Sequence, residues 1–206
     1  PDMLEKIHQS QAAILVGTQM LAKGHHFPNV TLVLVLEADS ALMGIDYRAS
    51  ERFGQLLTQV IGRAGRAEKP GTALIQTHYP ENPQLQKLVQ FGYNRFAMDL
   101  LAERSQLGLP PFSFHALLRL ESQDADQASQ ILQQLQQALQ PLNCTTLGPY
   151  PAGLQRRAFY YRYQLLLQCP DRASLKQALQ HISEAADKLL SAKLRFSIDV
   201  DPQDMA

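Results

Sequence analysis

Thr31-Leu32-Val33-Leu34-Val35-Leu36 is an unbroken apolar run, closed by Glu37. A strand with one solvated face alternates, so a run without alternation suits a strand buried on both faces of a parallel sheet. Upstream, Ala12 to Val16 is another such run, ending at Gly17, and Ala73 to Gln76 is a third. Between the last two, Ala49 to Arg66 places Phe53, Leu56, Leu57, Val60 and Ile61 at i, i+3, i+4, i+7 and i+8. That spacing predicts an amphipathic helix. Strands separated by helical stretches predict an α/β layer fold for this part of the chain.

The pattern changes after Gly108-Leu109-Pro110-Pro111, the clearest break in the sequence, which ends a polar helical stretch from Glu81 to Arg104. Phe114 to Leu120 alternates as a strand. Asp124 to Gln140 is helical, with Ala128, Ile131, Leu132, Leu135 and Leu139 on one face and the glutamines of 133–140 on a solvated outer face. A short strand is expected near 144–149. A further strand runs from Tyr161 to Gln168, with Tyr161, Tyr163, Leu165 and Leu167 on one side and Arg162, Gln164 and Gln168 on the other. A helix from Arg172 to Leu190 and a strand over Leu194, Phe196, Ile198 and Val200 complete the order βαββαβ, an α+β ferredoxin-like sandwich. The expected organisation is an α/β part over 1–80, a helical connector over 81–110 and a second domain over 111–206.

The chain has 206 residues, 45% of them apolar and 18% charged, the profile of a core-forming chain rather than a disordered one. Cations and anions balance at 19 each, and neither side of Pro110 carries an excess. No bulk basic field exists, so any contact to nucleic acid is local. Cys144 and Cys169 are isolated and make no CxxC pair, which argues against a zinc cluster and against a disulfide framework. There is no apolar stretch of membrane-spanning length and no signal-peptide layout at Pro1-Asp2-Met3, so a cytoplasmic chain without a membrane partner is expected. A start so close to the first apolar run reads as a chain cut from something longer.

Two motifs carry chemistry. Gln59-Val60-Ile61-Gly62-Arg63-Ala64-Gly65-Arg66 holds two arginines separated by a glycine-containing step. Guanidinium groups bind phosphate oxygens bidentately and keep their charge when desolvated, so the pair suits a nucleoside triphosphate. The alternative is two cations complementing a helix C-terminus. Gly17-Thr18-Gln19-Met20-Leu21-Ala22-Lys23-Gly24-His25-His26-Phe27-Pro28 follows the first apolar run, where backbone amides and a hydroxyl offer a phosphate seat. Thr18 either holds a backbone phosphate or caps the next turn. Adjacent His25 and His26 cannot both face one ion from regular structure and have no third ligand nearby, so no metal is assigned.

In this order, GTQMxxKGxxFPxVxLVxxxxAD, DYRAxE and QVxGRAGR resemble the second, RecA-like motor lobe of superfamily 2 helicases, and most closely the PriA family of replication-restart helicases. The resemblance continues through Pro70-Gly71, Ile75-Gln76-Thr77, Arg104, Gly108 and Pro110-Pro111-Phe112 to Asp199-Val200-Asp201-Pro202, and so covers nearly the whole chain. It implies that Gly17, Thr18, Lys23 and Gly24 belong to motif V, which touches single-stranded DNA and couples it to the nucleotide. It implies that Gln59, Gly62, Arg63 and Arg66 belong to motif VI, with Arg63 and Arg66 reaching ATP phosphates across the lobes and Arg66 as the arginine finger. Asp39 is read as a coupling residue, or as a residue of the sheet edge, and Asp46 lies in the same connecting segment. The sequence has no GxxxxGK[ST] and no DExH box, so ATP and Mg²⁺ would be held by another lobe and this chain alone should not hydrolyse ATP. The family's zinc-binding cysteine cluster and its amino-terminal DNA-binding domain are missing from the sequence.

Gln155-Arg156-Arg157-Ala158-Phe159-Tyr160-Tyr161-Arg162-Tyr163 sets three arginines among four rings, which suits phosphates and exposed bases. Equally, Tyr161 and Tyr163 are inward strand residues and the arginines solvated. The resemblance implies a ribosomal-protein-like domain that binds branched or forked DNA, favouring Arg156, Arg157 and Arg162; the family often has glycine in this hairpin, where this chain has Ala158-Phe159. It also implies that Arg172 and Lys176 engage the acidic tail of single-stranded DNA-binding protein (SSB), unless Arg172 pairs with Asp171, and that primosome proteins such as PriB and DnaT-like partners join. The implied function is ATP-driven 3′-to-5′ DNA unwinding at stalled forks in the nucleoid, starting primosome assembly for replication restart. The alternatives are a non-motor nucleic-acid or protein interaction module and another superfamily 2 translocase.

Overall fold

A computed structural model of the chain describes residues 12–18, 30–44, 46–62, 71–140 and 142–205. The chain divides into two compact units, Pro1–Leu101 and Ala102–Ala206.

In the first unit, β1 (Leu32–Val35) and β2 (Thr72–Ile75) pair in parallel, Leu32 opposite Thr72 through Val35 opposite Ile75. Helices α1 (Ala38–Leu42), α2 (Ala49–Ile61) and α3 (Pro83–Leu107) accompany them. Phe53 and Leu57 of α2 meet Leu85, Leu88, Phe96 and Leu100 of α3 in one apolar cluster, with Val35 and Ile75 packed against it. Of the stripe its spacing predicts, α2 buries Phe53 and Leu57, while Leu56 and Val60 are half-buried and Ile61 is exposed. Gly54 lies on that stripe because Phe96 leaves no room: a Cβ there would stand 2.5 Å from Phe96 Cε1. Ile61 is the last residue of α2, and Gly62 caps it by donating its N–H to Thr58 O; the expected continuation to Arg66 lies outside the described residues. α3 breaks at Gly92, where φ of 75° favours glycine. Much of the stretch read as a connector thus forms core of the first unit.

Two expectations fail here. Ala12 to Val16 forms no strand, and Ile14 and Val16 are 94% and 86% exposed. A strand exists through its ladder, and among the described residues none pairs with this run. β1 and β2 are also not buried on both faces, since Leu32, Leu34 and Leu74 are each more than half exposed. The described helices bury the alternate positions only.

In the second unit, β3 (Phe114–Ser122), α4 (Ala125–Leu139), β4 (Thr145–Arg157), β5 (Tyr160–Cys169), α5 (Arg172–Leu189) and β6 (Arg195–Val200) follow the order βαββαβ. The sheet is antiparallel throughout, in the order β4-β5-β3-β6. Ala116, Leu118 and Leu120 of β3 and Leu165 and Leu167 of β5 face Ile131, Leu132 and Leu135 of α4 and Leu175, Ala178 and Ile182 of α5 in one core. Asp124 caps α4 by accepting from the N–H of Asp126 and Gln127, and Asp171 caps α5 by accepting from Ser174.

The cysteines also depart from expectation, because Cys144 and Cys169 form a disulfide. The register of the β4–β5 hairpin explains it. Thr145 stands opposite Gln168, so the residues just outside that pair face each other, with Cα atoms 4.5 Å apart. Two cysteines 25 residues apart read as unrelated until the strands between them are seen to fold back. β4 also runs well past the short strand expected at 144–149, because pairing with β5 resumes at Arg156 after an irregularity between Pro151 and Arg156.

Candidate nucleic-acid interface

Arg156 and Arg157 end β4, and Tyr160 and Tyr161 begin β5. Directly opposed residues share a face of the sheet. Arg157 therefore stands with Tyr160 on one face, and Arg156 with Tyr161 on the other. The Arg156 guanidinium lies 5.1 Å from the centre of the Tyr161 ring. Both arginines are exposed, as is Phe159 in the turn, at 77%. Tyr163 packs against the core instead, so it leaves the group of rings that the sequence placed together.

A cross-strand row extends this site. Glu121 of β3 stands opposite Arg162 of β5 on one side and opposite Arg195 of β6 on the other. Arg162 Nε donates to Glu121 Oε1 at 3.1 Å, and Arg195 Nη1 lies 3.6 Å from Glu121 Oε2. Arg162 also donates to the carbonyl of Leu154 at 3.4 Å, bracing the irregular stretch of β4. Its side chain is only 18% exposed, so it braces the hairpin more than it faces a ligand. Arg195 is 64% exposed and lies 4.1 Å from the centre of the Tyr160 ring. Sequence reading missed Arg195, which is remote in sequence from the hairpin. The recoverable signal is the βαββαβ order itself, which sets the first and last strands side by side.

Arg119, on the same face two positions before Glu121, bonds Asp199 Oδ2 at 2.9 Å and the carbonyl of Asp204 at 2.9 Å. Burial pushes the Tyr150 hydroxyl up, with the Arg119 charge acting against it. Arg172 does not pair with Asp171. It donates to Asp201 Oδ2 at 3.0 Å and lies over the Phe114 ring at 4.8 Å, while its side chain stays 66% exposed. Asp171 instead accepts from the Ser174 N–H, which holds its carboxyl below the ordinary carboxylate value. Lys176 is exposed on α5.

In the first unit Asp39 is a clamp between the loops that leave β1 and β2. Thr77 Oγ1 donates to one carboxylate oxygen, and the His78 N–H donates to the other at 2.9 Å. His78 Nδ1 lies 2.8 Å from the same oxygen. These bonds, that of Thr77 first, hold the Asp39 carboxyl below the ordinary carboxylate value. Asp46 accepts from the Arg48 N–H at 2.9 Å and pairs with Arg52 at 2.5 Å, fixing the start of α2. Gly17 and Thr18 are exposed and irregular, and Gln59 is exposed on the last turn of α2. Lys23, Gly24, His25, His26, Arg63 and Arg66 lie outside the described residues. No cluster of three or more His, Cys, Asp or Glu among the described residues is set to hold a metal ion. No described helix is long and apolar enough to cross a membrane.

The family model described as Primosomal protein N C-terminal domain matches residues 105–203, and that described as Helicase conserved C-terminal domain matches residues 2–68. The chain is 48% identical to the Replication restart protein PriA of Haemophilus influenzae over 98% of its length, covering 28% of that protein. It is 38% identical to the protein of that name from Synechocystis over 97% of its length, covering 24% of it. For the Bacillus subtilis protein of that name the identity is 37% over 97% of the chain, covering 25% of it. The chain thus spans about a quarter of the length of these relatives.

Proposed function

The chain belongs to the PriA family of replication restart proteins, and from that premise we propose that it supplies half of an ATP-driven DNA motor and a fork-reading domain. The second unit, with its βαββαβ order and sheet order β4-β5-β3-β6, is then a ferredoxin-like domain that binds branched or forked DNA at its hairpin end. The observation that carries this reading is the hairpin, where exposed Arg157 and Arg195 stand with Tyr160 on one face and exposed Arg156 with Tyr161 on the other, in a chain with no net charge. Guanidinium groups attract phosphates while rings accept bases, a combination suited to DNA with unpaired strands. Arg162 contributes by holding the hairpin in shape.

In the first unit, Gly17, Thr18 and Lys23 are proposed to touch the single strand. Gln59, Gly62, Arg63, Arg66 and Gly24 are proposed to line the nucleotide side, where Arg63 and Arg66 neutralise charge on ATP phosphates. Described Gln59 and Gly62 lie exposed at the end of α2, which fits a ligand approaching from outside the unit. Another lobe would hold ATP and Mg²⁺, the family's zinc would lie elsewhere, and this chain alone would not hydrolyse ATP. Asp39 serves the motor by fixing the two strand-end loops relative to each other. Arg172 and Lys176 are proposed to meet the acidic SSB tail, with Arg172 exchanging Asp201 for a peptide carboxylate. PriB and DnaT-like primosome proteins are the further partners, and the setting is the cytoplasmic nucleoid.

The test is Arg156→Ala together with Arg157→Ala in this chain. Affinity for forked DNA is expected to fall about tenfold or more, with a shallower salt dependence and an unchanged melting midpoint, because both side chains are exposed. Unchanged affinity with unchanged salt dependence would remove the hairpin from the DNA contact.

A further inference from the structure

The two residues that join β4 to β5, Ala158 and Phe159, both have positive φ, 46° and 70°. A mirror-type two-residue hairpin turn demands this, and Asn-Gly is the pair that fills it without strain. Phenylalanine is disfavoured there, since its Cβ crowds the backbone in the left-handed region. Nor does packing compensate: the ring is 77% exposed and lies outside the core of the unit. An exposed aromatic held in an unfavourable conformation at a hairpin turn points to a functional position. Its surroundings give the ligand's chemistry. Arg157 and Arg156 precede it, Tyr160 and Tyr161 follow, and Arg195 reaches the Tyr160 ring from β6.

We propose that Phe159 is a stacking finger that takes the face of an unpaired base at a DNA junction, while Arg156, Arg157 and Arg195 take the flanking phosphates. The inference rests on the DNA-binding reading above and names what the hairpin recognises. A base face becomes available where strands separate, whereas stacked base pairs within a duplex hide theirs. An acidic peptide would satisfy the guanidinium groups, but it offers the ring a flat partner only where it carries an aromatic side chain, whereas every unpaired base offers one. The tip therefore discriminates an open junction from a closed duplex, and the arginines bind both.

The chain contains no tryptophan, so Phe159→Trp introduces a single fluorescent reporter at the tip. Its emission is expected to be quenched by oligo-dT and by a fork with unpaired arms, and to be unmoved by blunt duplex of equal length. Phe159→Gly is expected to weaken fork binding by about tenfold and to leave duplex binding within about twofold, from the usual strength of base–aromatic stacking. Glycine relieves the left-handed conformation, so the melting midpoint should hold or rise, which separates lost stacking from lost folding. Fork affinity unchanged in Phe159→Gly, with tryptophan emission unmoved on binding, would overturn the stacking role and leave the DNA reading standing. Absence of binding to any DNA by the unsubstituted chain would overturn both. Quenching by an acidic peptide but not by DNA would assign the tip to a protein partner and equally overturn the proposal.

Discussion

Asp39 shows what a single carboxylate can hold in place. It joins the segment after β1 to the loop after β2 through Thr77 and His78, and those bonds lower its pKa below the ordinary value of 3.8. A carboxylate with a lowered folded pKa stabilises fully above its unfolded value, and that contribution disappears as pH falls through the folded one. Urea unfolding of the first unit, measured from pH 6 downward, should therefore weaken below about pH 4. In Asp39→Asn the part due to this group should be absent, so the curve should be flatter; an identical acid limb would show that the clamp does not contribute. The sequence marked Asp39 as interesting without revealing its bonds, because Thr77 and His78 are distant in sequence and the parallel pairing of β1 and β2 brings them near.

At the scale of elements, the contact of α2 with α3 depends on Gly54, where a methyl group would press on Phe96. Gly54→Ala is expected to destabilise the first unit by about 1–3 kcal/mol in urea unfolding, the usual range for overpacking, despite alanine's better helix propensity. A stabilised variant would mean that Phe96 moves aside at no cost. Helices were the most legible elements, since the faces of α4 and α5 and the part of the α2 face formed by Phe53 and Leu57 follow from periodicity. Strands were legible where they alternate, as in β3 and β5, and in the apolar runs that became β1 and β2, but an apolar run alone does not make a strand. Ala12 to Val16 has a strand's composition and no partner among the described residues. At the hairpin, Arg156 and Arg157 could be found by composition. Arg195 and the bracing role of Arg162 could not, because both depend on cross-strand register.

For the whole molecule, two units with separate cores should respond separately to perturbation. The disulfide closes a loop within the second unit, between cysteines 25 residues apart. A loop of that length corresponds to about 3.5 kcal/mol from the restricted unfolded chain. Cys144→Ser should therefore lower the stability of the second unit by roughly that amount, with the transition of the first unit unmoved; coincident shifts in both would contradict separate units. The most direct measurement of function is fluorescence anisotropy of this chain binding a labelled fork and a blunt duplex of equal length, at two salt concentrations. Tighter binding to the fork, weakening as salt rises, is expected if the arginines and rings of the second unit read DNA junctions. Equal affinity for fork and duplex, or no binding to either, would contradict that assignment.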